Sequence, residues 1–250
     1  MKEVSRYGVA RVDRVVAVLD SFDGHPAGLA EIARRVGLSE ATTLRYVSSL
    51  VRHGLIERDG DPGRYRLGMR LFQLGQRALD GRHFPATALP LMERLRDRFQ
   101  ETVNLAVRHG DDLVLIEALE SPRSIKKGTK VGGQDPWHAS AIGKAILALL
   151  PESEAKGILK RRGCPRFTAN TRTTWTVLAR DLQEARQRGY AVDRDEVEAG
   201  ISCVAAAILD ERKWPACAIS VSGPTYRITT EVFRDMGNEL KAAAAMMVAA

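Results

Sequence analysis

Hydroxyl and guanidinium side chains recur along one side of the segment from Ser39 to Arg52. Helical spacing predicts a polar face that carries Thr42, Thr43, Arg45, Tyr46 and Ser49. It also predicts a buried face that carries Leu44, Val47, Leu50 and Val51. A helix with an apolar back and a face of hydroxyls and arginine suits the major groove of DNA. We therefore predict base or phosphate contacts from Thr42, Thr43, Arg45 and Tyr46. Ser39 should cap the helix and contact a phosphate.

The elements around this segment favour a winged helix-turn-helix. A short amphipathic helix is predicted over Leu29–Val36, and Gly37 ends it because a helix C-terminus favours a residue that tolerates positive φ. Two strand-like stretches then flank the turn-forming residues 59–63, which makes Arg58 to Arg66 the wing. The wing arginines Arg58, Arg64 and Arg66 are predicted to reach phosphates. The alternative is an ordinary helical hairpin packed only for its own stability.

The most apolar helix pattern of the C-terminal half runs from Ala139 to Leu150. Residues at its start form a second group that could bind a ligand. Helix N-termini expose unpaired N–H groups and attract anions. The small side chains around Ser140, Ala141 and Gly143 would let a ligand approach the backbone. The alternative is that Ser140 only caps the helix and that the small residues only allow tight packing.

Acidic, thiol and hydroxyl groups in the later strands offer further chemistry. The acidic cluster, Asp193, Asp195, Glu196 and Glu198, can serve acid–base catalysis or a metal, or can simply be solvated. Asp193 is the expected exception to solvation, because it directly follows a strand. Cys203 lies in an apolar strand and reads as a small hydrophobe or a nucleophile. Ser220 and Ser222 point the same way along a strand and can line a pocket or satisfy nearby backbone.

Several common cofactor sites are not predicted. Gly143-Lys144 is not a phosphate-binding loop, because His138 stands where the first glycine is needed and Ala145 replaces the magnesium-binding hydroxyl. The chain has no GxGxxG, CxxC or HExxH pattern. We therefore expect neither a cofactor nor a metal.

Composition limits the class of protein. The 250 residues, with 44% hydrophobic and 28% charged residues, are typical of a globular chain. The net charge of +7 favours a polyanionic partner. No apolar stretch reaches the ~20 residues of a membrane span. The N-terminus lacks a signal-peptide core, and the three cysteines are far apart, so we expect a cytoplasmic protein without membrane contact.

The pattern of elements predicts an α+β chain in three parts. Residues 1–67 form the winged helix-turn-helix, with a helix over Val9–Phe22 that buries Val12, Val15, Val16 and Leu19. Residues 68–85 form a linker helix whose apolar face suggests a second copy of the chain as its partner. Residues 86–250 form an α/β domain on an antiparallel sheet. Its strands are predicted over 102–108, 112–119, 124–130, 190–195, 202–209 and 216–222. Its helices are predicted over 86–100, 139–150, 178–188 and from 232 onward.

Both halves resemble one known family. LAEIARRVGLSEATTLRYVSSLVRHGLIE followed by YRLG resembles the DNA-binding domain of IclR-type transcriptional regulators. WHASAIGKAILALL, GYAVDRDEVEAGISCVAAAI and AISVSGPTYRIT resemble the effector domain of that family. The resemblance implies a dimeric or tetrameric regulator with a GAF-like C-terminal domain that binds a small organic acid, aromatic acids included. It also implies an effector site formed by the backbone N–H groups of Ala141 and Ile142 with the side chains of Asp193, Cys203, Ser220 and Ser222.

Two departures from the family pattern leave the identity of the effector open: the bulky Trp137 and Ile142, and the pair Ala206-Ala207 where a proline is common. The leading hypothesis is a DNA-binding transcriptional regulator, not an enzyme, that responds to a metabolite. The alternatives are a small-molecule hydrolase, using Cys203 or an acidic pair of the C-terminal domain, and a non-specific architectural DNA binder.

Overall fold

The computed structural model describes residues 9–80 and 88–247, without the side chains of residues 79 and 80. The chain divides into two compact units, Met1–Arg82 and His83–Ala250. The finer division into residues 1–67, 68–85 and 86–250 stays a prediction, and residues 81–85 of the predicted linker lie outside the described residues.

The N-terminal unit combines four helices with a small antiparallel sheet. Its elements are α1 (Ala10–Asp20), β1 (Ala27–Gly28), α2 (Leu29–Val36), α3 (Glu40–Arg52), β2 (Ile56–Arg58), β3 (Arg64–Leu67) and α4 (Met69–Asp80). The strands are ordered β1-β3-β2, so the predicted wing pairs as an antiparallel hairpin. Gly37 has a φ of 67°, which explains why a glycine ends α2. The two-residue strand β1 was not predicted, because it forms only by pairing with β3.

The helices of this unit bury only part of the predicted faces: Val47 and Leu50 of α3 are buried as predicted, and Val15 and Leu19 of α1 pack against the core while partly exposed. In α3 the buried residues are Thr43, Val47 and Leu50, whereas Leu44 is exposed. In α1 only Val18 is fully enclosed, and the predicted core residues Val12 and Val16 are exposed. The small core that α1, α2, α3 and the sheet share also contains Phe22, Ala27, Ile32, Ile56 and Tyr65.

The C-terminal unit is a five-stranded antiparallel sheet covered by helices on both faces. Its elements are α5 (Ala88–Phe99), β4 (Thr102–His109), β5 (Asp112–Leu119), α6 (Ala141–Leu147), α7 (Glu152–Arg162), α8 (Trp175–Arg188), β6 (Ala191–Arg194), β7 (Ile201–Leu209), β8 (Pro215–Pro224) and α9 (Thr230–Met246). The strands are ordered β5-β4-β8-β7-β6. The antiparallel sheet confirms the α+β prediction.

The two faces of this sheet follow the alternation of side chains along each strand. Val103, Leu105, Val204 and Val221 point toward α5 and α9. Ala106, Cys203, Ala205 and Ala218 point toward α6, α7 and α8. The second face has the smaller side chains, which leaves room beside α6.

Two sequence-based assignments in this unit were wrong. Residues 124–130 form no strand and instead belong to the long connection between β5 and α6. Helix α7 was not predicted, because its sequence is mostly charged and its three buried residues, Ala155, Ile158 and Leu159, give too weak an apolar pattern. Within the described residues, every helix is too short or too polar to cross a bilayer.

Candidate functional sites

The N-terminal end of α3 is built as predicted from Ser39. The Ser39 hydroxyl accepts a hydrogen bond from the Thr42 N–H at 3.3 Å and so caps the helix. The same hydroxyl donates to Thr42 Oγ1 at 3.0 Å. Arg45, one turn further on, is exposed, and Tyr46 is half-buried against the core of the unit. Ser39, Thr42, Arg45 and Tyr46 therefore share one accessible surface.

Thr43 is a correction to the predicted DNA-binding set. Its side chain has 0% exposure, and its hydroxyl donates to the Ser39 carbonyl at 3.0 Å. A residue enclosed in this way cannot touch a duplex without opening the helix N-terminus. Helical periodicity placed Thr43 on the polar face, whereas packing against the rest of the unit buries it.

A surface groove of about 640 Å³ runs between α1 and α3. Thr42, Arg45 and Tyr46 line it from α3, and Arg11 and Arg14 line it from α1. The two α1 arginines were missed from the sequence, although their spacing of three residues places them on one helix face. The groove therefore gathers three guanidinium groups on the surface that carries the polar face of α3.

The wing arginines differ in their contacts. Arg58 is exposed. Arg64 donates to the Pro26 carbonyl. The guanidinium of Arg66 lies 3.6 Å from carboxylate oxygens of both Glu57 and Asp59. Exposed pairs of this length contribute little energy, so these contacts leave the wing able to exchange partners with a phosphate.

The C-terminal unit contains a cavity of about 220 Å³ between the sheet and the start of α6. All six residues predicted for the effector site line this cavity: Ala141, Ile142, Asp193, Cys203, Ser220 and Ser222. Ten further residues complete the lining: Asn104, Leu115, Lys127, Gly128, Thr129, Lys130, Gly133, Gln134, Asp135 and Ser140.

Strand register explains why residues far apart in sequence meet here. Asp193 lies opposite Cys203, and Cys203 lies opposite Ser222. Ser220 lies opposite Asn104 on the neighbouring strand. Four strands therefore contribute one row of polar groups across the small-residue face of the sheet.

The start of α6 supplies the opposite wall of the cavity. Ser140 caps this helix, and its hydroxyl accepts from the Gly143 N–H at 3.0 Å. Because the first N–H groups of a helix have no partner within it, the N–H groups of Ala141 and Ile142 precede the capped ones without an intrahelical bond. Gly143 serves packing, not ligand approach: a Cβ there would lie 2.3 Å from the Trp137 carbonyl oxygen.

Burial dominates the electrostatics of the predicted ligand groups. It raises the pKa of Asp193 to about 7, against the opposing effect of the Lys144 ammonium. Burial also raises the pKa of the Cys203 thiol to about 12. Cys203 is therefore a neutral thiol in this cavity, which argues against a role as a nucleophile.

The cavity residues that the sequence did not predict include Asn104, Lys127 and Asp135. Asn104 directs its Nδ2 group at Ser220 Oγ (3.3 Å) and Ser222 Oγ (3.2 Å). Its Oδ1 atom is buried without a partner among the described residues. Lys127 and Asp135 lie in the connection mistaken in part for a strand, so no periodic pattern pointed to them.

Three of the four residues of the acidic cluster make hydrogen bonds or an ion pair within the protein and are not simply solvated. Asp193 accepts a hydrogen bond from the Glu196 N–H at 2.7 Å. Glu196 forms a buried ion pair with Lys144. Asp195 accepts from the Gly200 N–H at 2.6 Å, whereas Glu198 is exposed. Across residues 9–80 and 88–247, no group of three or more histidine, cysteine or acidic side chains could hold a metal ion.

The bulky residue Trp137 does not shape the cavity. It is buried in the core beside α6, and its Nε1 group donates to the Asp111 carbonyl at 2.7 Å. Ile142, in contrast, lines the cavity. Of the two bulky residues noted from the sequence, Ile142 alone is in a position to restrict a ligand.

Comparison with known proteins agrees with both halves of the structure. Residues 11–60 match the IclR helix-turn-helix domain, and residues 76–248 match the family described as bacterial transcriptional regulator IclR C-terminal. The chain is 33% identical over 236 residues to the HTH-type transcriptional repressor AllR of Escherichia coli K12, an alignment that covers 94% of this chain and 87% of AllR.

Solved structures show the same likeness. An IclR transcriptional regulator from Alicyclobacillus acidocaldarius superposes with a TM-score of 0.84 at 31% identity, covering 96% of this chain and 98% of that one. An IclR homologue from Microbacterium hydrocarbonoxydans, solved in complex with 4-hydroxybenzoate, has a TM-score of 0.77 at 31% identity, covering 94% of this chain and 99% of that one. These relatives are named as repressors and regulators, not as enzymes. The chain belongs to the IclR family of DNA-binding transcriptional regulators.

Proposed function

We propose that this protein controls transcription by binding an operator through α3 and the wing, and that a small organic acid in the C-terminal cavity changes this affinity. The observation that carries the proposal is the cavity itself. It collects a buried carboxyl group, a thiol and two hydroxyls from three strands beside the start of α6.

The surface of α3 supports the DNA-binding half of the proposal. In this proposal Thr42 and Arg45 meet base edges, while Ser39 and Tyr46 contact nearby phosphates. The wing contacts the phosphate backbone of the DNA through Arg58, Arg64 and Arg66. The basic surface extends along α1 through Arg11 and Arg14. Thr43 is left out of the proposal because it is buried.

The composition of the cavity supports the effector half. N–H groups at Ala141 and Ile142 suit the oxygen atoms of an acid, and Ser220 and Ser222 suit its further polar groups. The related protein solved with 4-hydroxybenzoate shows that a member of the family takes a small aromatic acid. 4-Hydroxybenzoate is the ligand of that relative. For this chain we propose only that the effector is a small organic acid.

We also propose a homo-oligomer, either a dimer or a tetramer, in the cytoplasm. Met69, Phe72 and Leu74 on α4 expose apolar side chains that a second copy would cover. Two DNA-binding heads would then meet half-sites about 34 Å apart or a multiple of that distance. Ligand binding to one arrangement of the heads would shift the population toward it.

The test uses a DNA duplex selected by the protein from a random pool, and a panel of small organic acids. Any acid that raises the melting temperature is added to a binding titration with the selected duplex. We expect at least one acid to change the duplex affinity by roughly 5- to 150-fold. Asp193→Ala should abolish this change and keep the duplex affinity without ligand, whereas Glu198→Ala, a nearby exposed residue, should change neither. If Asp193→Ala responds to the acid like the wild type, the proposed cavity is not the effector site.

The hydrolase alternative has little support. The thiol of Cys203 is buried, and its raised pKa keeps it protonated. The five histidines of the chain include His138, but this ring lies against the Pro165 carbonyl at 2.8 Å and does not line the cavity. Among the residues that the structure describes, no imidazole lines this cavity beside the thiol.

A further inference from the structure

The connection between β5 and α6 places charged residues on the wall of the cavity. Lys127 and Asp135 both line it, together with Thr129. None of the three belongs to the site implied by the family resemblance. They add a cation and a second carboxyl group to a cavity whose other polar groups are mostly neutral.

Lys127 carries a charge that no neighbouring residue fully neutralises. In the described part of the chain, no carboxylate oxygen lies within the 4.0 Å of an ion pair with its ammonium group. The pKa of Lys127 is raised above the ordinary value of lysine, so the ammonium group stays protonated. A partly buried ammonium without an ion pair is a strong attractor for an anion.

The two carboxyl groups of the cavity, Asp135 and Asp193, do not fully neutralise the charge of Lys127. Burial raises the pKa of Asp135, and it raises that of Asp193 to about 7. Asp193 therefore carries only part of its negative charge near neutral pH, where an exposed aspartate is fully ionised. The second lysine of the lining, Lys130, is exposed, so its charge is better solvated than that of Lys127.

Asn104 and Thr129 leave polar atoms of the cavity without partners. The buried atoms Asn104 Oδ1 and Thr129 Oγ1 have no hydrogen bond among the described residues. Asn104 is 3% exposed. An unpaired buried acceptor is costly, and a ligand that donates an O–H or N–H group would satisfy it.

The lining combines aliphatic carbon with polar groups. Leu115, Ala141 and Ile142 supply aliphatic carbon, and most of the remaining residues also present polar atoms. The volume of about 220 Å³ holds a compact molecule. The lining therefore suits a compact acid with a further donor group.

We propose that Lys127 sets the charge selectivity of the effector site, binding the carboxylate of a compact acid whose O–H or N–H group donates to Asn104. The inference rests on the proposed function and names the chemistry of its effector. It makes Lys127 a binding residue that the family resemblance does not supply.

The test compares matched probes on the full chain. Glycolate, lactate and malate are the acids; glycolamide, lactamide and malamide remove the charge; and propionate and benzoate lack the hydroxyl. Binding is measured by calorimetry. We expect at least one hydroxy acid to bind the wild type at least tenfold more tightly than its amide, than propionate and than benzoate. The proposal is overturned if no hydroxy acid binds at millimolar concentration, or if the amides, propionate or benzoate bind as well as the acids.

Variants assign the selectivity to Lys127. Lys127→Met should lose at least tenfold in affinity for the acid, and Lys127→Arg should retain most of it. Lys126→Met is the matched control, because Lys126 is paired with Glu120 and does not line the cavity. Equal acid affinity in Lys127→Met and the wild type would overturn the assignment.

A second variant guards against loss of folding in Lys127→Met. Asp135→Asn removes a negative charge near the proposed carboxylate, so the acid should bind several-fold more tightly. Weaker binding in Asp135→Asn would contradict the proposal. Affinity for the selected DNA duplex is measured on every variant. If the acid binds through Lys127 but never changes duplex affinity, the proposed regulatory function fails and the charge selectivity stands.

Discussion

Asp193 on β6 lies directly opposite Cys203 on β7, and both side chains face the same cavity. In the sequence they are separated by a turn that contains Asp195, Glu196 and Gly200. The pairing places a carboxyl group with a pKa of about 7 beside a thiol with a pKa of about 12. The cavity therefore contains groups that titrate differently from their exposed counterparts, which gives the first prediction.

Asp193 should make the stability of the protein depend on pH. The native state holds a proton on Asp193 up to about pH 7, whereas the unfolded chain releases it near the ordinary pKa of 3.8. The unfolded state thus binds fewer protons in this interval, and the free energy of unfolding falls as the pH rises through it. The loss amounts to at most about 4 kcal/mol.

Urea denaturation between pH 4 and pH 7 checks this expectation. In Asp193→Asn the fall should be much smaller, because the amide has no proton to release. Glu198→Gln, an exposed neighbour, should keep the slope of the wild type. A slope that is the same in Asp193→Asn and the wild type would show that Asp193 is ionised in the native state.

Arg45→Ala should weaken binding to a selected DNA duplex. Loss of a base contact costs about 1–3 kcal/mol, so affinity should fall about 5- to 150-fold, with a much smaller loss on random duplex. Arg52→Ala at the other end of α3 is the control and should change the ratio little. Equal losses of Arg45→Ala on selected and random duplexes, measured at matched salt, would remove Arg45 from the base-reading set.

Arg11 and Arg14 should contribute to the salt dependence of DNA binding. If each contacts one phosphate, Arg11→Ala and Arg14→Ala should each reduce the slope of log affinity against log salt by about 1. Selected and random duplexes should be affected alike, because phosphate contacts carry no sequence information. Unchanged slopes in both variants would place the α1 side of the groove away from the duplex.

Gly143→Ala should destabilise the C-terminal unit. The added Cβ would lie 2.3 Å from the Trp137 carbonyl oxygen, so the start of α6 must shift and distort the cavity wall. Gly75→Ala on α4 is the matched control, because nothing lies within 4 Å of its Cβ position. That control should stabilise its helix by about 0.5–1 kcal/mol. Thermal unfolding that is unchanged in Gly143→Ala would contradict the close approach.

Lys144→Met should be strongly destabilising, because it leaves the buried carboxylate of Glu196 without its partner. Breaking a buried pair costs about 3–5 kcal/mol. The double variant Lys144→Met with Glu196→Gln should recover part of this loss. Denaturation of the two single variants and the double variant completes the cycle, and additive losses would mean that the two residues do not interact.

Part of the candidate site was predictable from local sequence. Ser39 is a helix cap because a hydroxyl precedes an acidic first turn and an apolar run, and such local chemistry survives folding. Ser220 and Ser222 share a face because strands alternate with a period of two. The family motifs supplied the remaining effector residues, and the structure places all six on one cavity.

The rest depended on contacts between distant segments. Thr43 and Leu44 are adjacent in the sequence, yet the first is buried and the second is exposed, because the neighbouring elements decide which side of α3 meets the core. Helix α7 was missed because its three buried residues are too few to outweigh its charged composition. Lys127 and Asp135 lie in an irregular connection, where no period predicts a direction.

By itself, the sequence determined most of the elements and their order, because caps, glycine turns and hydrophobic periods are properties of neighbouring residues. Only the tertiary structure decided which residues meet. Asn104, Lys127, Asp193 and Ser220 come from four separate segments, and strand register with the path of one connection brings them to a single cavity. Burial there raises the pKa of Asp193 and leaves Asn104 Oδ1 without a partner among the described residues, and neither effect exists until the chain has folded.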